Sequence, residues 1–160
     1  MSASNPSRRT AAKAIEVQIA NQQSAVLIDK RWYRALAQHA LSAQEVRAAK
    51  LGVAFVTNET IHDLNRRFLE HDYPTDVITF PLSDSQKLLQ GEIVISAEYA
   101  IEEAREYQQP VHVEMGLYLV HGILHLCGYD DKSPAHAKVM RQKEQHYLRQ
   151  LNLPAIADSE

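Results

Sequence analysis

The sequence predicts a single α+β domain, with one small mixed sheet of about four strands packed by four to six helices. Short apolar stretches with strand patterning are mixed with longer stretches of helical periodicity, and their order is not a regular alternation. The chain has 160 residues, which is within the usual size of one domain. It contains no internal repeat that would indicate a second domain.

Four stretches have the patterning of strands. Around Ile15 to Ile19 apolar and polar residues alternate, as they do in a half-buried strand. The other three stretches are short apolar runs, namely LGVAFVT from Leu51, VITFP ending at Pro81 and GEIVIS ending at Ser96. We expect these four stretches to form the sheet.

Helical periodicity is found in the remaining stretches, which are 30–49, 59–69, 96–108, 111–126 and a last helix opened by Ser133 and Pro134. Asn58 and Ser96 are expected N-caps. In the helix after Asn58 we expect Ile61, Leu64 and Phe68 to face inward. The stretch 111–126 is apolar on most sides, which predicts the central and most buried helix.

Composition indicates the bounds of the domain, the compartment and the partners that we expect. Residues 1–12 are expected to be a flexible arm, 13–151 the domain, and 152–160 a polar tail.

The single cysteine, Cys127, excludes an internal disulfide and fits a reducing compartment. No stretch has the length of a membrane span and no secretory signal is visible, so we expect a cytoplasmic protein without a membrane partner. The net charge of −3 restricts any nucleic-acid surface to a local patch.

The run HGILHLCGYDD is the part of the sequence that points to a function. His121 and His125 are four residues apart, so they share one face of a helix and their rings can meet one ion. Gly128 permits the turn that ends the helix, and Asp131 can then return as a third ligand. Asp130 and His136 are competing candidates. The pattern predicts a metal site at the end of the central helix, with an open position for hydrolytic chemistry.

The expected cofactor is one Zn²⁺, although nitrogen and oxygen ligands also suit another divalent transition metal such as manganese, nickel or iron. The spacing is similar to that of metzincin proteases, in which a glutamate follows the first histidine and acts as the base. That position is Gly122 here, so a peptidase of this type would lack its general base. The sequence indicates no catalytic group other than a water bound to the metal ion.

The run HGILHLCGYDD, preceded by LNRRFLEHDYPTDVITFP and GEIVIS, resembles the YbeY family of metal-dependent bacterial endoribonucleases. The three blocks follow the family's order. The resemblance places His121 and His125 at the first two ligand positions and Asp131 where the family has a third histidine. It also places Leu69 where the family usually has an arginine that is thought to help catalysis. Arg66 is one turn away and could cover part of the same surface.

The resemblance implies cleavage of single-stranded RNA, with a role in 16S rRNA 3′-end maturation and in ribosome quality control. Its implied partners are single-stranded RNA, rRNA and ribosomal subunits. Leu69 and Asp131 together leave two alternatives open. One is a ribosome-assembly factor with weakened or lost catalysis, and the other is a different zinc-dependent hydrolase.

Overall fold

A computed structural model of the chain describes residues 14–83 and 87–159, and side chains as far as residue 150. Its strands are β1 (Ile15–Asn21), β2 (Ala49–Val56), β3 (Val77–Pro81) and β4 (Leu89–Ser96). They form one sheet in the order β1-β2-β4-β3. β2 is parallel to β1 and to β4, whereas β3 is antiparallel to β4. The sheet is therefore mixed, and β3 is an edge strand.

Five helices pack around this sheet. They are α1 (Lys30–Ala43), α2 (Asn58–Leu69), α3 (Ala97–Glu106), α4 (Val111–Leu126) and α5 (Pro134–Ser159). The predicted α+β domain with about four strands and four to six helices is confirmed. The expected arm 1–12 lies outside the described residues, and α5 continues through the segment expected to be a polar tail.

Two element ends differ from the sequence prediction. The helix expected over 30–49 ends at Ala43, because Glu45 adopts a left-handed backbone with φ 62° and β2 already begins at Ala49. The N-cap of α2 is Thr57 rather than Asn58, since the Thr57 hydroxyl accepts the N–H of Thr60. Asn58 instead accepts a hydrogen bond from Ser96, which is the N-cap of α3 as predicted.

The two faces of the sheet have separate apolar clusters. The larger core packs against α1, α4 and α5, and its sheet residues are Val17, Ile19, Ala49, Leu51, Val53, Phe55, Ile93 and Ile95. On the other face α2 packs through Ile61 over Ile78 and Val94. Phe68, expected to be inward, is 62% exposed and meets Phe80 edge to face. α2 is short of core contacts at its C-terminal end, where the helix passes the edge of the sheet.

α4 lies unusually close to the sheet at two glycines, Gly122 on the helix and Gly91 on β4. A Cβ at Gly122 would come within 2.9 Å of Ile93 Cδ1 and 3.0 Å of Thr79 Oγ1. A Cβ at Gly91 would come within 2.7 Å of Leu126 Cδ1. Both glycines are thus needed for the C-terminal half of α4 to lie against β4 and β3. No helix in the described part of the chain is both long and apolar enough to cross a membrane.

Substitution of Gly122 by alanine tests this close contact. Alanine favours a helix by about 1 kcal/mol, but overpacking a core costs about 1–3 kcal/mol, so we expect Gly122→Ala to lower the free energy of unfolding. Ile93→Val removes Cδ1, the nearest obstructing atom, so Gly122→Ala should cost less in the Ile93→Val background than in the wild type. Urea denaturation of the four proteins in a chelator measures both values. A stabilising Gly122→Ala would contradict the close contact.

Candidate metal centre

The end of α4 brings the predicted ligands together. His121 and His125 lie one turn apart on α4, and Gly128 continues the chain with a positive φ of 103°. The chain reverses there, since the N–H of Tyr129 donates to the carbonyl of Leu124 at 3.0 Å. Asp131 Oδ2 returns to 3.7 Å from His121 Nε2 and 4.0 Å from His125 Nε2. The three side chains form a group whose donor atoms all lie within 4.8 Å of one another and could hold a metal ion.

The hydrogen bonds of the two Nδ1 atoms determine which ring nitrogens carry a proton when the imidazoles are neutral. His125 Nδ1 lies 3.0 Å from the carbonyl oxygen of Tyr129, which only accepts, so this nitrogen carries the proton. His121 Nδ1 lies 2.6 Å from the carboxylate of Glu144. In the neutral rings both Nε2 atoms are therefore unprotonated, and they lie 3.0 Å apart beside Asp131. A divalent cation between these acceptors would satisfy both nitrogens and the Asp131 carboxylate.

The spacing of these atoms is that of ligands on a small divalent ion. Two ligands at about 2.0–2.1 Å from a tetrahedral ion are separated by about 3.3 Å. The separations found here run from 3.0 Å between the two Nε2 atoms to 4.0 Å between His125 and Asp131. A small movement of the Asp131 side chain, which is 49% exposed, closes the set. The residues present fit a metal ion.

Glu144 on α5 sets the charge state of His121. Burial lowers the pKa of His121, but the hydrogen bond and charge of Glu144, with the charges of Asp131 and Asp76, outweigh burial and leave the pKa above its ordinary value. Only 13% of the Glu144 side chain is exposed. The same contact that orients the ring therefore also makes it more basic, which strengthens it as a ligand when deprotonated.

Sequence reasoning missed Glu144. On α5, Val139 is 43% exposed, whereas Met140 is buried. The inward stripe is Met140, Glu144, Tyr147 and Leu148, at helical spacing. The available signal was a carboxylate in the middle of an apolar stripe, because a buried carboxylate needs a hydrogen-bond partner.

The two competing ligands predicted from the sequence pair with each other instead. Asp130 Oδ1 lies 3.1 Å from His136 Nδ1 and accepts the N–H of Lys132 at 3.0 Å. The backbone hydrogen bond from Lys132 lowers the pKa of Asp130. Asp130 thus shapes the loop before α5 and does not orient a ligand imidazole. Cys127 is outside the ligand group, and burial raises its pKa, as expected of a packed thiol.

A cleft of about 500 Å³ opens beside the ligand group, between α4 and β3. Leu69, from the end of α2, lies at its wall, together with the half-buried Asp76. None of the described residues that line the cleft is a lysine or an arginine. Arg66 and Arg67 are 58% and 68% exposed and pair with Asp63 on their own helix. Arg66 therefore does not replace a cation at the position of Leu69.

Fold and site together define a single α+β domain in which the end of a buried helix, the turn after it and an edge strand enclose a candidate metal centre. The sequence model of the endoribonuclease YbeY family matches residues 18–152. The chain belongs to this family.

Individual relatives agree with the family match. Endoribonuclease YbeY of Rhodopirellula baltica is 46% identical over 114 residues, which are 68% of this chain and 59% of that protein. Endoribonuclease YbeY of Carboxydothermus hydrogenoformans is 38% identical over 140 residues, which are 85% of this chain and 97% of that protein. The solution structure of TM1509 from Thermotoga maritima superposes with a TM-score of 0.64 at 26% identity, covering 89% of this chain and 93% of that one.

The contact between His121 and Glu144 predicts a pH dependence of the metal-free protein. The pKa of His121, followed by its ring proton resonances, should lie above 6.5 and should fall in Glu144→Gln. Because the folded pKa is the higher one, the stability from this contact is fully present below the unfolded pKa of about 6.5 and is lost as pH rises through the folded pKa. His112, whose pKa burial lowers, is the internal control and should not move. Equal His121 pKa values in both proteins would contradict the assigned contact.

Proposed function

We propose that this protein is a metal-dependent endoribonuclease that cleaves single-stranded RNA. The observation that carries the proposal is the pair of Nε2 atoms, 3.0 Å apart, beside Asp131 and open to the cleft. Membership of the endoribonuclease YbeY family supports the same activity. The family match does not favour the alternative of an assembly factor without efficient catalysis.

In this proposal His121, His125 and Asp131 hold one ion, and the remaining groups keep those ligands in place. Glu144 and the carbonyl of Tyr129 hold the outer nitrogens of the two imidazoles, so each ring presents Nε2 to the ion. A bound divalent ion would polarise a phosphoryl oxygen and stabilise the negative charge that develops on it. Zn²⁺ is the proposed ion, because two imidazoles and one carboxylate are a common set for catalytic zinc.

The proposed biological setting is the maturation of the 16S rRNA 3′ end and ribosome quality control, with rRNA and ribosomal subunits as partners and the cytoplasm as the location. It follows from the resemblance of the three sequence blocks to the YbeY family. A cleft without lysine or arginine on its walls also favours a substrate positioned by the ion and by its bases rather than by many phosphate contacts.

Cleavage of a labelled single-stranded RNA oligonucleotide tests the activity. We expect the purified protein to cut it in the presence of Zn²⁺ or Mn²⁺, and a chelator to stop the reaction. His121→Ala should lose at least about a hundredfold in rate, since it removes a ligand rather than an outer partner. His146→Ala, an exposed histidine on α5, is the matched control and should keep the activity. No cleavage with any divalent metal would overturn the proposal.

Metal content distinguishes between the two neighbouring aspartates. Elemental analysis of the purified protein should give about one ion per chain, as expected of a single site with three protein ligands. Asp131→Ala should reduce the occupancy, whereas Asp130→Ala should retain it, because Asp130 is engaged with His136 and the Lys132 N–H. Full occupancy in Asp131→Ala would exclude Asp131 as a ligand.

A further inference from the structure

The open edge of β3 is one wall of the cleft beside the candidate metal centre. Among the described strands β3 pairs only with β4. The carbonyl of Asp76 accepts the N–H of Ser96 at 2.9 Å, and the N–H of Leu82 donates to the carbonyl of Gln90 at 3.0 Å. In an antiparallel pair the backbone N–H and C=O groups of successive residues point alternately toward and away from the partner strand. The backbone groups of the even-numbered residues of β3 therefore point toward β4, and those of the odd-numbered residues point away from the sheet.

The backbone groups on this open edge are mostly acceptors. Val77, Thr79 and Pro81 are the outward residues, and all three line the cleft. The N–H of Val77 is already used, because it donates to the side chain of Asp76 at 2.7 Å. Pro81 has no N–H. The edge therefore offers three carbonyl oxygens but one backbone donor, the N–H of Thr79.

Asp76 adds a charged acceptor to the same wall. Its Oδ1 accepts both the N–H of Val77 and the hydroxyl of Thr75, the latter at 3.1 Å. Its Oδ2 has no hydrogen-bond partner in the described part of the chain, and the half-buried side chain lines the cleft together with His121. A ligand group that meets this wall must accordingly supply hydrogen-bond donors.

We propose that the edge from Asp76 to Pro81 binds the hydrogen-bonding edge of an unpaired nucleobase and favours bases with an exocyclic amino group over uracil. Cytosine, adenine and guanine each carry such a donor group, whereas uracil presents two carbonyl oxygens and a single N–H. This inference rests on the proposed function, and it names the part of the RNA that contacts β3. It also explains selectivity for single strands, because in a duplex the same base edges are already paired.

Neither a phosphate group nor a peptide strand fits this wall as well. A phosphate on the β3 wall would meet the carboxylate of Asp76, with no lysine or arginine in the lining to offset it. An added peptide strand needs alternating donors and acceptors along the edge, but Val77 and Pro81 supply no free donor. The excess of acceptors thus favours the amino group of a base.

Equilibrium binding of labelled oligo(C) and oligo(U) of equal length to the full chain, in a chelator that prevents cleavage, tests the inference. We expect oligo(C) to bind roughly ten- to a hundredfold more tightly than oligo(U), which is the effect of one additional hydrogen bond to a charged acceptor. The readout is the ratio of the two dissociation constants. A variant that removes a negative charge strengthens binding of both RNAs alike and therefore leaves this ratio unchanged unless it alters base recognition.

Asp76→Asn should remove or reverse this preference. The amide carbonyl must take the place of Oδ1, where it accepts from Val77 and Thr75, so the amide NH₂ points into the cleft. The wall then offers a donor, which suits the carbonyl groups of uracil. Asp76→Ala should abolish the preference without reversing it. Asp72→Asn removes the same charge from an exposed site outside the cleft and should leave the ratio unchanged.

The results separate this inference from the proposed function. A wild-type ratio near one, or an equal change of the ratio in Asp72→Asn and Asp76→Asn, would overturn the proposal that this edge binds a nucleobase. It would do so even if the protein cleaves RNA. Displacement of bound oligo(C) by an extended peptide would also overturn it and assign the edge to strand addition. A protein that neither binds nor cleaves any RNA would overturn the proposed function itself.

Discussion

The close contact of α4 with the sheet sets the position of the two histidines around which the rest of the candidate site is arranged. Gly122 stands between His121 and His125 in sequence and packs against Ile93, so the two imidazoles are held at a fixed height beside β3. A side chain at this position would push the helix away from the sheet and widen the cleft. The residue that stands where metzincin proteases have their catalytic glutamate is thus also the residue that lets α4 pack closely against β4.

The fold and the ligand group could be predicted because each depends on local sequence. The strand and helix patterns are periodic, and the His121, His125 and Asp131 group follows from one helical turn and one reversal at Gly128. Glu144 could not be placed in the same way, because its role depends on how α5 docks against α4. The exposure of Phe68 likewise follows from where α2 passes the edge of the sheet, which periodicity does not show.

The departures at Leu69 and Asp131 change the electrostatic character of the cleft. By the resemblance to the YbeY family, Leu69 stands where an arginine is usual, and Asp131 stands where the third ligand is a histidine. Together with Asp76 this leaves a cleft with two acidic side chains and no basic one among its described lining residues. In the proposed enzyme, attraction of the RNA backbone would therefore fall to a bound ion, and recognition of the bases would gain in relative importance.

The contact between His121 and Glu144 ties the site to the last helix of the chain. Because α5 follows the ligand residues in sequence, a ribosome has released Asp131 from its exit tunnel before it has released all of α5. Until that helix docks, the outer nitrogen of His121 lacks its carboxylate partner and the ring is free to rotate. An unfinished chain would consequently hold the ion poorly. Docking of α5 would thus be a condition for the metal binding on which the proposed cleavage of RNA depends.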